Sequence, residues 1–237
     1  MHLFWFVYFF MLGATFASFY NVVGIRSIDH ISLTRRSMCP KCNHKLRFID
    51  VIPLVGFIIN RGHCHFCKEK IHIKYFLIEV LGGLLYALSF QVYGLSLYTL
   101  ILMVLFSLIM IFIVSYYEHK LVLNKLVYYF LPILMILQII NDNFISSIQG
   151  FAVCIICTYI LSLSEKGLSK YVLYTSCLGL VLGFKATILF LVISIIAIVL
   201  AKLFKKLPKF VYIVSYSCMI SIFVYPYINE LLLKIMG

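Results

Sequence analysis

Long apolar runs dominate the chain and alternate with short polar segments. Most of the runs approach the roughly 20 residues that a helix needs to cross a hydrocarbon core. They predict spans near residues 3–23, 76–93, 95–114, 123–140, 147–163, 171–183, 186–201 and 210–227. The pattern therefore predicts an all-α, multi-pass protein that lies in a lipid bilayer.

The segment 171–201 leaves the choice between seven and eight spans open. As one helix it would be about 46 Å long at ~1.5 Å per residue, which exceeds a core of about 30 Å. Gly183 and Lys185 interrupt it, although each half is then short. With two spans, 18 of the 20 Lys and Arg residues face the cytosol, all except Lys185 and Lys234. Because basic loops stay inside, we predict eight spans with both termini outside.

Composition excludes a water-soluble globule. The chain is 64% hydrophobic and 12% charged, with a mean hydropathy of +1.07, which leaves too little polar surface to cover a soluble core. Half of the basic residues lie in residues 26–74, so the net charge of +12 reflects topology and not nucleic acid binding. We predict that residues 1–24 form a first span that is not removed as a signal peptide, followed by a cytosolic loop (25–75) and a multi-span domain (76–237). We expect the protein in the plasma membrane.

Four cysteines in the basic loop carry the strongest chemical signal. Cys39 and Cys42 form one C-x2-C pair, and Cys64 and Cys67 form a second. This spacing is typical of a zinc ribbon, in which four thiolates surround one Zn²⁺ and leave no open position. The ion is therefore predicted to be structural, and its binding would supply much of the loop's folding energy. Unligated or disulfide-paired cysteines are the alternative, which a reducing cytosol disfavours.

Other cysteines, histidines and acids are assigned plainer roles. An apolar surrounding favours packing for the remaining cysteines, and four thiols make loop histidines unnecessary as ligands. An acid near membrane depth is a candidate functional group, but Glu79 at a helix start has the alternative of pairing with Lys74 or a neighbouring helix end. The residues concerned are Cys154, Cys157, Cys177, Cys218, His44, His63, His65, His72, Asp50 and Glu79.

Several short motifs resemble the amino-terminal domain of type IV prepilin leader peptidases. In order they are Ala17–Val23 (ASFYNVV), Arg36–Cys42 (RSMCPKC), Asp50–Leu54 (DVIPL) and Arg61–Cys67 (RGHCHFC), followed by Tyr75 and Glu79. The resemblance implies a bacterial intramembrane aspartyl protease of about eight spans with a zinc-bearing cytosolic loop. Such enzymes remove the basic leader of prepilins or competence pseudopilins, and some then methylate the new amino terminus with S-adenosylmethionine.

The sequence departs from that family at both catalytic positions. By resemblance, Tyr116 and Tyr171 stand where the family has its two aspartates. A phenol, with a pKa near 10, cannot replace an ionised carboxylate as the base at neutral pH. Glu118 and Glu165 are the nearest acids to the two positions, but a displaced carboxylate rarely meets the geometry of catalysis. Their plainer assignments are a solvated loop for Glu118 and an interfacial charge for Glu165.

Three hypotheses follow. The chain is a peptidase that depends on Glu118 or another acid, or a non-proteolytic homologue that binds or N-methylates pilin-like substrates. From a different class, it is a zinc-stabilised membrane scaffold. Impaired cleavage is the interpretation that the two tyrosines favour, and the sequence therefore predicts no catalytic residue. Oligomeric state is left open.

Overall fold

A computed structural model describes residues 2–26, 32–34, 36–119, 124–164, 171–203 and 210–236. Within these ranges the chain is helical apart from turns and two isolated β-bridges, which confirms the all-α prediction. The helices are α1 (His2–Arg26), α2 (Phe48–Val51), α3 (Val55–Ile59), α4 (Ile73–Tyr93), α5 (Leu97–His119), α6 (Asn124–Ile140), α7 (Phe144–Ser164), α8 (Val172–Leu203) and α9 (Phe210–Met236).

Several of these helices suit a membrane. Among the described residues, five are long and apolar enough to cross one, and a shorter apolar helix covers Leu126–Ile140. The five are Leu3–Arg26, Ile73–Tyr93, Leu97–Glu118, Phe144–Leu163 and Val172–Leu200. The chain is therefore a multi-pass membrane protein, and the count of eight spans stays a prediction.

The first long helices run antiparallel between two ends of a bundle. The Phe9 ring near the start of α1 stacks on Phe90 near the end of α4, with centroids 4.6 Å apart. Lys74 at the start of α4 pairs with Glu118 at the end of α5. We call the end with Lys74 and Glu118 the loop end, because the cysteine loop leads into α4 there, and the end with Phe90 the far end.

Small residues allow α1 and α4 to approach closely. A Cβ added at Gly13 would lie 2.4 Å from the carbonyl oxygen of Gly82, and one added at Gly82 would lie 2.4 Å from the Ala17 Cβ. Small residues at helix contacts are the usual means of close packing in a bilayer, where apolar side chains gain little from leaving lipid. This contact holds the helix before the cysteine loop against the helix after it.

Helix α5 lies at the centre of the bundle. Ile101, Leu102, Leu105 and Phe106 along it are fully buried. A helix that is apolar all round is expected to be enclosed on all sides. Its last turn therefore delivers residues 115–118 to the loop end from a rigid support. The sequence predicted that this span ends at residue 114 and that Glu118 lies in a loop, but α5 continues to His119.

Helix α8 bends sharply at Gly183, where the backbone leaves helical geometry with φ 69° and ψ 175°. The Thr187 hydroxyl lies 3.4 Å from the Gly179 carbonyl oxygen eight residues earlier, whereas eight residues of straight helix rise about 12 Å. Gly150 of α7 packs into the bend, and a Cβ there would lie 2.3 Å from the Gly179 oxygen. The bend lies at the break predicted from the sequence and supports two spans in this segment.

Candidate functional site

Two turns of matching geometry hold the cysteines. The Asn43 N–H donates to the Cys39 carbonyl at 2.9 Å, and the Lys68 N–H donates to the Cys64 carbonyl at 3.0 Å. Asn43 and Lys68 both have positive φ, 56° and 58°, which turns the chain back beneath each cysteine pair. A single β-bridge closes each turn, Met38 with Lys45 and His63 with Lys70.

The turns bring four sulfurs together. The Sγ atoms of Cys39, Cys42, Cys64 and Cys67 all lie within 4.8 Å of one another, and Cys39 Sγ lies 3.8 Å from Cys67 Sγ. A tetrahedral ion with Zn–S bonds of about 2.3 Å separates its sulfurs by about 3.8 Å. Hydrogen bonds from the backbone of Cys42 and Lys41 lower the pKa of the Cys39 thiol to about 7. The donor set and spacing fit a metal ion held by thiolates.

The loop histidines make contacts of other kinds. The His44 ring lies 3.7 Å from the Phe66 ring, His65 Nε2 lies 3.1 Å from an Arg47 nitrogen, and His72 caps α4 by accepting from the Lys74 N–H at 3.4 Å. His63 Nδ1 lies 2.7 Å from the Arg61 carbonyl oxygen. The cluster found among the described residues contains cysteines only. Cys154, Cys177 and Cys218 are buried within the helices and Cys157 is half-buried.

Asp50 ties together the middle of the cysteine loop. Its carboxylate accepts hydrogen bonds from the Arg47 guanidinium at 2.8 and 3.1 Å and from the Asn60 amide at 2.8 Å. The Arg47 hydrogen bond, reinforced by Asn60, holds the pKa of Asp50 well below its ordinary value. Asp50 is therefore an ionised structural group that fixes α2 against α3.

Glu79 docks the loop onto the membrane helices. Its carboxylate accepts the Leu54 N–H at 2.7 Å and is also hydrogen-bonded to Ser18 of α1. Leu54 has φ 63° and ψ −48°, and the Val55 N–H donates to the Pro53 carbonyl at 2.6 Å. This is the rare γ-turn with positive φ, which is strained for a leucine. Of the two pairings expected for Glu79, the one with Lys74 is wrong because Lys74 pairs with Glu118.

Tyr116 and Tyr171 meet at the loop end. Tyr116 comes from the last turns of α5 and Tyr171 immediately precedes α8, and their ring centroids lie 6.3 Å apart at 70°. Tyr171 is buried and Tyr116 is half-buried. The two positions that the motifs marked as catalytic are thus brought into ring contact, but they present phenols in place of carboxylates.

A cation and an acid lie at the same end. Lys74 Nζ forms an ion pair with Glu118 and lies 5.0 Å from the ring centroids of both Tyr75 and Tyr117. Lys74 and Tyr117 were not predicted to belong to this group, because Tyr117 is a variable position beside Tyr116 and Lys74 was considered only as a partner of Glu79. The position of Lys74 as the second residue of an apolar helix was the available signal. Glu165 lies outside the described residues.

Comparisons with known proteins agree with the motifs. Residues 11–93 match the family model of the bacterial peptidase A24 N-terminal domain. A Bacillus subtilis prepilin leader peptidase/N-methyltransferase is 30% identical over 146 residues, which are 60% of this chain and 59% of the relative. A relative of the same name from Vibrio cholerae is 28% identical over 219 residues, 81% of this chain and 84% of the relative.

A shorter match has a higher identity. A Neisseria gonorrhoeae protein of that name is 45% identical over 64 residues, 27% of this chain and 22% of the relative. The chain thus spans less than two thirds of the Bacillus relative and most of the Vibrio relative. No solved structure matches the chain.

Proposed function

Because the chain belongs to the type IV prepilin leader peptidase family, we propose that it binds the leader of type IV prepilins or competence pseudopilins without hydrolysing it. The observation that carries this proposal is the ring contact of Tyr116 with Tyr171. The two chain positions that resemble the aspartate positions of the family still face each other, so the scaffold of a catalytic pair is kept while its chemistry is lost.

Hydrolysis by a carboxylate pair needs two different protonation states. One ionised carboxylate takes a proton from water while the other, protonated, polarises the scissile carbonyl. A phenol with a reference pKa near 10 remains protonated at neutral pH and supplies no base. Two phenols therefore hold the geometry of the site without its function.

Glu118 does not restore the pair. Its carboxylate is already engaged in an ion pair with Lys74 across the α4–α5 contact. A single carboxylate supplies at most one of the two groups that the reaction requires.

The cysteine cluster serves a structural role in this proposal. We assign zinc to Cys39, Cys42, Cys64 and Cys67, since four closely spaced sulfurs are the typical donor set of a structural zinc site. Binding of the ion would stabilise the folded loop, residues 25–75. The membrane segments of this proposal are the first span, residues 1–24, and the multi-span domain, residues 76–237. The excess of Lys and Arg at this end supports a cytosolic loop, which is the side on which a basic leader is presented.

The test is leader cleavage of a co-expressed competence-type prepilin in a bacterium that lacks its own prepilin peptidase. We expect no cleavage by the native chain and cleavage by the double variant Tyr116→Asp/Tyr171→Asp. Each single variant, Tyr116→Asp or Tyr171→Asp, should stay inactive because one carboxylate is insufficient. The matched control is the variant Tyr117→Asp, tested instead of the double variant. Cleavage by the native chain overturns the proposal.

Binding is measured separately. A prepilin leader peptide with a photoreactive group should crosslink to the native chain at the loop end, in the region of residues 115–118 or 171–175, with or without the aspartates. Absence of crosslinking to both the native chain and the double variant contradicts leader binding and favours a zinc-stabilised scaffold unrelated to pilins.

N-methyl transfer is the second candidate activity. The relatives' names include N-methyltransferase, and transfer of a methyl group to an amine does not require a carboxylate pair to activate water. The loss of both aspartates therefore leaves this activity chemically open. Transfer of a labelled methyl group from S-adenosylmethionine to a pilin peptide that has already lost its leader tests it without depending on cleavage.

A further inference from the structure

A polar cavity of about 570 Å³ opens at the far end of the bundle. Tyr93 and Tyr98 line one side, the start of α7 lines another, and the bend of α8 around Gly183 closes it. It lies at the opposite end from the cysteine cluster and the tyrosine pair. Its size is within the range of small-ligand pockets, and the proposed leader binding makes no use of it.

Two buried polar atoms in the lining have no hydrogen-bond partner within the part of the chain that the structure describes. Gln138 is 1% exposed; its amide nitrogen donates to the Leu180 and Val181 carbonyls at 3.2 Å each, but its Oε1 has no partner among the described residues. The hydroxyl of Ser147, also 1% exposed, has none there either. Unpaired buried polar groups are costly, so their presence in one cavity points to a polar occupant.

The charge around the cavity favours an anion. Lys185 lines it, and the described residues of the lining include no carboxylate. The first turns of α7 and of the helix after Gly183 reach the lining at Ser147 and Phe184, and helix amino termini attract negative charge. Asp142 lies in the loop between two lining residues but is not part of the lining.

An apolar groove continues from the cavity. This second space, about 270 Å³, shares Tyr93, Tyr98 and Tyr225 with the cavity and is lined further by Ile222 and Pro226 of α9. Tyrosines at a helix end are typical of the headgroup level of a bilayer. The occupant therefore has an anionic polar head at headgroup depth and an apolar portion.

We propose that the far-end cavity binds the headgroup of an anionic phospholipid, with the adjoining groove taking the start of an acyl chain. Lys185 pairs with the phosphate. A headgroup hydroxyl donates to Gln138 Oε1, and the Ser147 hydroxyl donates to a phosphate or glycerol oxygen. A phosphoglycerol headgroup provides both kinds of group, whereas a phosphocholine headgroup has no hydroxyl to donate.

The test uses the purified full chain in neutral detergent and follows its thermal unfolding midpoint with added lipid. Dioleoyl-phosphatidylglycerol should raise the midpoint saturably, since a ligand that binds the native state stabilises it, and dioleoyl-phosphatidylcholine should not. Lys185→Gln should require about tenfold more phosphatidylglycerol, the loss expected for one charge-assisted hydrogen bond. Lys185 is exposed, so the substitution is compatible with folding.

Lys234→Gln is the matched control. Lys234 lies on α9 beyond the cavity and pairs with Glu230 at 2.7 Å, so its loss changes the charge of the chain equally without touching the lining. This variant should respond to phosphatidylglycerol as the native chain does. Equal effects of both lipids, or an unchanged response of Lys185→Gln, overturn the proposal. If soluble glycerol 3-phosphate stabilises the chain as much as phosphatidylglycerol does, the site binds a free anion, and the proposal of a phospholipid occupant is overturned.

Discussion

The hydrogen bond between Glu79 and the Leu54 N–H predicts how firmly the cysteine loop is docked. Removing the acceptor with Glu79→Ala leaves the strained γ-turn at Leu54 without its partner. A hydrogen bond to a charged group contributes about 1.5–3 kcal/mol. Opening of the loop from the membrane helices should therefore become about 10- to 150-fold more frequent.

Hydrogen exchange measures this opening at the amides of residues 54–58. The Val55, Gly56 and Ile58 amides donate to the Pro53, Ile52 and Leu54 carbonyls in the native loop, so their protection reports the docked turn. Glu79→Gln keeps an oxygen acceptor and should show a smaller increase in exchange. Glu69→Ala, which removes an exposed acid from the same loop, is the control and should leave these amides unchanged.

The strain at Leu54 provides an independent check. Leu54→Gly relieves a positive φ that costs a non-glycine residue roughly 1–3 kcal/mol, so the turn should depend less on Glu79. The increase in exchange rate caused by Glu79→Ala should therefore be smaller when Leu54→Gly is also present than in the otherwise native chain. The reasoning is refuted if Glu79→Ala leaves the exchange of these amides at the native rate.

Three further predictions concern other parts of the fold. Cys64→Ser should remove bound zinc, measured by metal content, and expose the loop to protease, whereas Cys154→Ser should keep one zinc per chain. Arg47 holds the pKa of Asp50 below its ordinary value near 4. Ionised Asp50 therefore stabilises the loop above about pH 4, and this stabilisation is lost as the pH falls. The difference in loop protection between the native chain and Asp50→Asn should accordingly shrink below about pH 4. Gly150→Ala places a Cβ 2.3 Å from the Gly179 oxygen, which should lower the unfolding midpoint strongly.

The sequence predicted elements whose signals are local. Apolar runs marked the long helices, and Gly183 with Lys185 marked the bend in α8, because glycine tolerates the positive φ observed there. The two C-x2-C pairs predicted the sulfur cluster, since each pair needs only one turn of chain. The bend and each cysteine turn depend on residues a few positions apart, and the two pairs, 28 positions apart from Cys39 to Cys67, were expected to meet because they would share one metal ion.

Contacts between distant segments depend on how the helices pack, which residue spacing does not reveal. Glu79 was expected to pair with Lys74 or with a neighbouring helix end. The first alternative is wrong and the second is confirmed, because Glu79 accepts the N–H of Leu54, the N-cap residue of α3, and also contacts Ser18 of α1. Glu118 was assigned to a solvated loop, whereas α5 extends far enough to place it beside Lys74. The pairing of Glu79 with Lys74 and the loop assignment of Glu118 were wrong because side-chain pairing depends on where helices end relative to one another.

The contact of Tyr116 with Tyr171 leads to a prediction about acid dependence. Two aspartates at these positions would interact, and a like charge nearby raises the pKa of one of them. The pair would titrate in two steps, and activity requires the singly protonated form. Cleavage by Tyr116→Asp/Tyr171→Asp should therefore show a bell-shaped dependence on pH.

A substitution at Glu118 tests whether the bell-shaped pH profile arises from the two introduced aspartates. If the two aspartates form the dyad, adding Glu118→Gln should leave the shape of the profile in place, since Glu118 is paired with Lys74 and not with the tyrosine positions in the native chain. If Glu118 is itself one of the two carboxylates, the same substitution should abolish cleavage. In that case a single variant, Tyr116→Asp or Tyr171→Asp, would already be active, which contradicts the assignment of both tyrosines to the lost catalytic pair.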